Sequence, residues 1–186
     1  MKKISTGWII IVVAAVLGLL LWSGYNGLVT ANESVDGSWS QVETQYQRRM
    51  DLIPNLVSTV KGAADFEQET FTQVTAARSQ WQSASSRTEQ IAAAENFDGA
   101  LGRLLVTVES YPQLQATQAF RDFMVQLEGT ENRIATARRD FNDTVRAFNV
   151  RVKRFPTNLL ASMFGFDPAQ FFEAAEGSDQ APNVEF

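Results

Sequence analysis

An uncharged apolar segment near the N-terminus constrains this chain more than any other feature of its sequence. No charged side chain lies between Lys3 and Glu33, and residues 7–22 are apolar throughout. A helix rises about 1.5 Å per residue, so residues 8–25 would span roughly 26 Å, close to the thickness of a bilayer's hydrocarbon core. The segment therefore predicts a transmembrane helix over residues 7–25, preceded by a short basic segment at 1–6.

Aromatic side chains lie at both ends of this segment, where amphipathic rings favour the headgroup region of a bilayer. The expected anchor residues are Trp8, Ile11, Leu17, Leu20, Trp22 and Tyr25. A cleaved secretory signal peptide is the alternative, because two lysines precede the apolar core and residues 29–31 resemble a weak cleavage site. A retained anchor is favoured, since the apolar run is long and the helical pattern continues beyond it.

The charges that flank the segment predict its orientation. Lys2 and Lys3 precede it, whereas only acidic charges follow it before Arg48. By the positive-inside rule, the N-terminus then lies in the cytoplasm. We therefore expect a single-pass protein of the bacterial inner (plasma) membrane whose remaining chain is periplasmic or extracytoplasmic.

Composition restricts the chemistry that is open to the chain. It contains no Cys and no His, which excludes thiol nucleophiles, disulfides, imidazole bases and Cys/His metal sites. The net charge of −5 disfavours a nucleic-acid partner. No Gly-rich phosphate loop and no serine elbow occurs in the sequence. We therefore expect no cofactor, no metal and no catalytic residues, with acid–base work by carboxylates alone as a minor alternative.

Heptad spacing predicts that the membrane helix continues into the soluble part of the chain. Residues alternately four and three apart form one face: Leu21, Tyr25, Leu28, Asn32, Val35, Trp39, Val42, Tyr46, Arg49 and Ile53. No proline interrupts this pattern before Pro54. We predict one rigid helix through membrane and stalk. A hinge at Gly24–Gly27 is the alternative, since a glycine costs a helix up to about 1 kcal/mol.

Prolines mark the later helix boundaries. Pro54, Pro112 and Pro156 each follow a helical pattern, and proline suits the first turn of a new helix. They predict a second helix from Pro54, a turn at residues 82–87 and a third helix at 88–109. The expected fold is all-α, with the transmembrane helix continuing into an antiparallel four-helix bundle of long helices over residues 26–176. A short C-terminal helix and a flexible tail at 177–186 complete it.

The fourth helix has the clearest heptad pattern, and two charges interrupt its apolar face. The pattern runs through Phe120, Met124, Leu127, Glu131, Ile134, Arg138, Phe141, Val145, Phe148, Val152 and Phe155. Charged groups are seldom buried alone. Glu131 and Arg138 are therefore expected to pair in a polar network with Arg48, Arg49 and Glu109. A structural role in fixing helix register is favoured over a ligand site.

The chain changes character after Phe155. Asp167 and Pro168 resemble an N-cap and a first helical residue, and they predict a short helix that carries Phe171 and Phe172. The chain then ends in apolar Val184 and Phe186, which suggests a docked terminus. Its carboxylate would suit a basic, apolar site on another copy, with Arg48, Arg49 and Arg78 as candidate partners. Docking within the same chain, or disorder of the terminus, is the favoured alternative.

Up-and-down helices of even number bring residue 155 back towards the bilayer. The residues expected there form a membrane or subunit contact: Arg151, Lys153, Arg154, Leu160, Met163, Phe164, Phe166, Phe171 and Phe172. Cations beside such an apolar surface are typical of an interfacial membrane contact. The structural alternative is that these aromatic residues close the lower end of the bundle.

Several stretches together resemble the LemA family of bacterial membrane proteins. They are YNGLV at 25–29, RRMDLIPNLV at 48–57, TAAR at 75–78, ESYPQL at 109–114, GTENRIATARRDFN at 129–142, Phe155-Pro156 and PNVEF at 182–186. Relatives often have Tyr at the positions of Phe141 and Phe148. The resemblance implies an N-terminal membrane helix, an antiparallel bundle and no established catalytic residues. It also implies kinship with proteins that build membrane compartments. Family members are often assigned a topology with the bundle in the cytoplasm, opposite to the orientation that the flanking charges predict.

These observations favour a function in the envelope without catalysis. The leading hypothesis is a membrane-anchored, self-assembling scaffold that organises or remodels the membrane, and the alternative is an anchored adaptor that presents a bundle face to another envelope protein. The expected partners are the lipid bilayer, further copies of the chain and an envelope protein, with no nucleic acid.

Overall fold

The computed structural model describes residues 6–61 and 68–172, and all regular structure in them is helical. The helices are α1 (Thr6–Met50), α2 (Ile53–Lys61), α3 (Gln68–Ser83), α4 (Arg87–Glu109), α5 (Pro112–Gln115), α6 (Gln118–Lys153) and α7 (Thr157–Phe164). No strand occurs in these two ranges. The predicted all-α fold, with a long apolar N-terminal helix and bundle-like packing, is confirmed.

Helix α1 is continuous over 45 residues. Its backbone stays helical through Gly24 and Gly27, so the predicted single helix is confirmed and the hinge is not observed. The helix ends where Leu52 N–H bonds to Arg49 O at 3.1 Å in a tight turn. Pro54 then lies in the first turn of α2, where its missing N–H breaks no hydrogen bond.

The chain divides into two compact units. Unit 1 combines α1 up to Ser40 with Arg139–Phe171, and unit 2 combines Gln41–Arg138 with Phe172. One part of α1 and one part of α6 belong to each unit. Each unit is therefore built from segments that are distant in sequence.

In unit 1, α1 and α6 run antiparallel. Trp39 lies against Phe141 with ring centroids 5.2 Å apart, and Arg151, ten residues further along α6, donates to Gly27 O at 2.9 Å. The core of this unit consists of heptad positions that the sequence predicts: Leu28, Val35, Trp39, Phe141, Val145, Phe148 and Val152 are buried.

In unit 2, α3 and α4 form a helical hairpin. Ser86 caps α4 by accepting from Glu89 N–H at 3.3 Å, and the Glu89 carboxylate accepts from Ser85 N–H at 2.8 Å. These reciprocal bonds satisfy donors that a helix start leaves free. Arg103 and Gln73 join the two helices further along. The predicted turn and third helix are therefore confirmed at residues 84–86 and Arg87–Glu109.

Two predictions near the C-terminus are wrong. Residues 166–172 form no helix after Asp167 and Pro168. Instead, the Asn149 side chain bonds to the N–H and the carbonyl of Ala169, at 2.8 Å each, and holds this segment in a non-helical conformation. Phe155, the last position of the predicted heptad pattern, is 75% exposed because α6 already ends at Lys153.

Candidate functional site

The corner between α6 and α7 is held by the hydroxyl of one threonine. Thr157 Oγ1 lies 2.6 Å from the backbone oxygen of Arg151 and 2.8 Å from that of Arg154, and its proton is shared between them. A helix leaves its last carbonyl groups without partners within the helix, so this hydroxyl completes the end of α6. Helix α7 ends at Phe164, and Gly165 follows it with a φ of 74°, a conformation that favours glycine.

One side of α7 packs against α1. Leu160 and Ala161 are buried, and a Cβ placed on Gly24 would lie 2.7 Å from Leu160 Cδ1. Glycine at position 24 therefore permits a close approach of the two helices. Tyr25 adds a ring contact to Phe164 with centroids 4.8 Å apart, which fixes α7 at this position along α1.

Apolar side chains remain exposed on α7 and at Phe155 just before it, and Phe164 combines this exposure with its contact to Tyr25. We define the α7 apolar surface as Phe155, Leu159, Met163 and Phe164, whose exposed fractions lie between 54% and 75%. Leu159 and Met163 are four residues apart, so they lie on one face of the helix. An apolar surface of this kind, rimmed by polar residues, is typical of a contact with a membrane or a partner.

The height of α7 along α1 matches the end of the predicted membrane span. Gly24 and Tyr25, which contact α7, are the last residues of the predicted segment at 7–25. The cations Arg151, Lys153 and Arg154 are exposed in the same corner. This combination of an anchor end, an apolar helix and cations has the chemistry of a membrane interface.

A second cluster of charged side chains lies in unit 2, around Asp98. Its carboxylate accepts three hydrogen bonds: from Arg49 at 2.7 Å, and from Arg138 and the Tyr46 hydroxyl at 2.8 Å each. Arg49, only 2% exposed, also pairs with Glu131. We call these five residues the Asp98 cluster.

Aromatic rings enclose the Asp98 cluster. Trp81 stacks on Tyr46 at 5.0 Å between centroids, and Phe172 lies 4.6 Å from the guanidinium carbon of Arg138. Burial raises the pKa of Tyr46, so its hydroxyl keeps the proton that it donates. Burial also raises the pKa of Asp98, while Arg138 and Arg49 oppose this shift by favouring the carboxylate. The cluster satisfies its own charges, which favours a structural role.

Comparison with known proteins identifies the family. The sequence profile of the LemA family matches residues 38–186. The chain belongs to the LemA family.

Three relatives show how far the similarity extends. Magnetosome protein MamQ 2 of Paramagnetospirillum magneticum is 30% identical over 194 residues, which cover 90% of this chain and 71% of the relative. Magnetosome protein MamQ of Magnetospirillum gryphiswaldense is 29% identical over 181 residues, covering 83% and 66%. Protein LemA of Metamycoplasma hominis is 24% identical over 152 residues, covering 81% and 69%.

The structure brings together only part of the polar network expected from the sequence of this LemA-family chain. Arg49, Glu131 and Arg138 join the Asp98 cluster, whereas Arg48 and Glu109 are exposed and lie outside it. Sequence reasoning missed Asp98, although its position seven residues after Ile91 and three before Leu101, both buried on α4, could have indicated it. Tyr46 was assigned to the heptad face of α1, but its hydroxyl contact was not foreseen.

The residues predicted for a membrane or subunit contact divide into two groups. Met163 and Phe164 belong to the α7 apolar surface and the three cations are exposed, whereas Leu160 and Phe172 are buried. Phe166 and Phe171 are half-buried. Leu159 and Phe155 were not among the predicted contact residues, although Leu159 lies four residues before Met163 and this spacing could have indicated it.

The predicted anchor residues are exposed within the single chain, as lipid-facing side chains would be. Among the described residues, one helix is long and apolar enough to cross a membrane, and it lies near the N-terminus. It fits a membrane anchor. The exposed apolar side chains include Trp8, Ile11, Leu17, Leu20, Trp22 and Tyr25.

The predicted docking residues Val184 and Phe186 lie outside the described residues. Of their candidate partners, Arg49 is buried and already bonded to Asp98 and Glu131. A terminal carboxylate would have to displace both acids, so Arg49 is unsuitable for that role.

Proposed function

We propose that this LemA-family protein is a membrane-anchored scaffold of the bacterial envelope. Its copies assemble in the plane of the membrane and organise or curve the bilayer. The observation that carries this proposal is the α7 apolar surface, because it lies beside the end of the predicted span. The chain would then contact the bilayer twice, through α1 and through α7.

The two contacts act differently on a bilayer. A spanning helix displaces both leaflets, whereas a helix that lies in the interface displaces headgroups and upper chains of one leaflet. Leu160 fixes α7 against Gly24, so the interfacial helix cannot move far from the anchor. The resulting asymmetry favours curvature or local ordering of the membrane.

The small size of α7 is the reason that the proposal includes self-assembly. Its eight residues are about 12 Å long, so one copy displaces little of a leaflet. Anchoring confines the copies to two dimensions and raises their effective concentration. Many copies in a regular array would add their small displacements, which is why self-assembly is part of the proposal.

Similarity supports this assignment. Two of the relatives described above are named magnetosome proteins, which is consistent with a role in organising a bacterial membrane structure. The proposed role requires no catalysis. An anchored adaptor is the alternative, and it would not assemble when purified alone.

The proposed location is the inner membrane with the N-terminus in the cytoplasm. Lys2 and Lys3 precede the span, and the first charges after it are acidic.

Cysteine labelling tests this orientation directly, because the chain has no native cysteine. A single cysteine at exposed Val106 or Val125 should react with an impermeant thiol reagent in spheroplasts; reaction only after lysis would reverse the orientation.

Electron microscopy of the full-length protein in mild detergent tests the scaffold. We expect regular rings, caps or sheets from the protein alone. Small featureless particles would overturn self-assembly and favour the adaptor, and cross-linking in cells would then identify the partner.

Variants of the α7 apolar surface test the second membrane contact. Leu159→Ser with Met163→Ser should reduce deformation of vesicles that contain the protein while leaving its helix content unchanged, because both side chains are exposed. Val106→Ser with Val125→Ser removes similar exposed apolar area elsewhere and is the matched control. If the α7 variant and the control variant deform vesicles to the same extent, the α7 apolar surface has no specific role in membrane deformation.

A further inference from the structure

We propose that the α6–α7 corner binds the phosphate groups of anionic phospholipids through Arg151, Lys153 and Arg154. This inference rests on the proposed function, because it needs the corner to lie at a bilayer surface. It adds the chemical class of lipid that the protein selects.

The three cations are free to bind an anion. Within residues 6–61 and 68–172, none of them takes part in an ion pair. Arg151 donates to the carbonyl of Gly27, which is neutral, so its charge is not balanced there. Residues 143–154 carry an excess of three positive charges in a chain whose net charge is −5. This concentration of charge opposes the overall sign of the protein.

The cations lie at the depth of lipid headgroups. Arg151 bonds to Gly27, two residues after Tyr25, and two residues of helix advance about 3 Å. The phosphates of a bilayer lie just outside its hydrocarbon core, where the predicted span ends. The α7 apolar surface would enter the upper chains while the cations reach the phosphates.

The corner also offers a concave surface. A hollow of about 440 Å³ is lined by Arg146, Asn149, Val150, Lys153, Arg154 and Phe171. Asn149 bonds to both backbone groups of Ala169 and so holds the segment that carries Phe171. Arg146 pairs with Asp143, whereas Lys153 and Arg154 have no ion-pair partner among the residues that the structure describes and can meet a phosphate.

Helix stabilisation explains only part of this pattern. Cations in the last turn of a helix interact favourably with its dipole, which accounts for Arg151 and Lys153 in α6. It does not account for Arg154, which follows the helix, or for the exposed Phe155 beside it. Basic and apolar side chains in this order suit a lipid, whose headgroup is anionic and whose chains are apolar.

The test measures local lipid composition around α7 in the full-length protein. A cysteine at Met163 carries an environment-sensitive fluorophore, since the chain has no other thiol. The protein is placed in phosphatidylcholine vesicles that contain equal small fractions of nitroxide-labelled phosphatidylglycerol or nitroxide-labelled phosphatidylcholine. A cation near an anionic surface contributes about a fivefold preference, so we expect the labelled phosphatidylglycerol to quench several times more efficiently.

Removing the charges should remove the preference. Lys153→Gln with Arg154→Gln keeps the bond from Arg151 to Gly27, and it should lose most of the difference between the two lipids. The triple variant with Arg151→Gln should lose all of it. Arg48→Gln with Arg133→Gln and Arg139→Gln changes the net charge equally at exposed positions elsewhere, and it should keep the preference.

The outcomes separate this inference from the proposed function. A fluorophore that lies in the bilayer but is quenched equally by both lipids overturns lipid selection and leaves the α7 contact intact. A fluorophore that stays in water overturns the α7 contact and the inference with it. Loss of the preference in inorganic phosphate, but not in chloride of equal ionic strength, would show that free phosphate competes with the lipid for the corner and would support recognition of the phosphate group.

Discussion

Leu160 packs so closely on Gly24 that a Cβ at position 24 would lie 2.7 Å from Leu160 Cδ1. This contact joins α7 to the end of the predicted span and determines which face of α7 remains exposed. The position of the α7 apolar surface therefore depends on a residue that has no side chain. A larger residue at this position would separate α7 from α1.

Gly24→Leu is the first prediction. The new side chain occupies the space of Leu160, and overpacking of this kind costs about 1–3 kcal/mol. We expect α7 to leave α1, which is measured by cross-linking cysteines introduced at Tyr25 and Phe164. Gly18→Leu is the control, because a Cβ at Gly18 meets nothing within 4 Å. Undiminished cross-linking in Gly24→Leu would show that α7 is not held by this contact.

The heptad pattern explains why the sequence predicted α1 and most of α6 correctly. Side chains such as Val35, Trp39, Phe141 and Val145 recur at helical spacing and are buried as expected. Periodicity reports which face of a helix is apolar. It does not report where a helix ends, and the extension of the pattern to Phe155 was wrong for that reason.

The Asp98 cluster could be predicted only in part. Glu131 and Arg138 interrupt an apolar face, so their need for partners was visible in the sequence. Asp98 lies at heptad spacing from the buried Ile91 of α4, so its position was visible in the sequence. Only the packing of the helices reveals that Arg49 and Arg138 converge on it. The non-helical segment at 166–172 escaped prediction for a similar reason, since it depends on the distant Asn149.

Asp98→Ala should strongly destabilise the protein. It leaves Arg49 buried with only Glu131 as a partner, and removal of one member of a buried ion pair costs about 3 kcal/mol or more. Thermal unfolding of the full-length protein in detergent, followed by circular dichroism, measures the loss.

Asp143→Ala is the matched control for Asp98→Ala. Asp143 also pairs with an arginine, Arg146, but both side chains are exposed. Exposed pairs contribute little, so we expect a change within about 0.5 kcal/mol. Similar effects of the two substitutions would contradict the importance of the Asp98 cluster.

Tyr46→Phe isolates one hydrogen bond of the same cluster. The ring remains stacked on Trp81, and only the donor to Asp98 is lost. A hydrogen bond to a charged group contributes about 1.5–3 kcal/mol, so the unfolding free energy should fall by about 2 kcal/mol. In an Asp98→Ala background the same change should have almost no effect, because coupled residues are not additive. Additive losses in urea titrations would show that the two residues act independently.

Phe172→Ala tests whether the side chain of Phe172 stabilises unit 2. Phe172 is buried, lies over Arg138 and is nearly parallel to Tyr46, with an interplanar angle of 11°. Truncation of a buried phenylalanine leaves a cavity and costs about 3–5 kcal/mol. Phe155→Ala makes the same chemical change at a position that is 75% exposed, so it should leave the unfolding midpoint nearly unchanged in detergent. If both variants unfold at the wild-type temperature, Phe172 does not hold the residues of the Asp98 cluster in place.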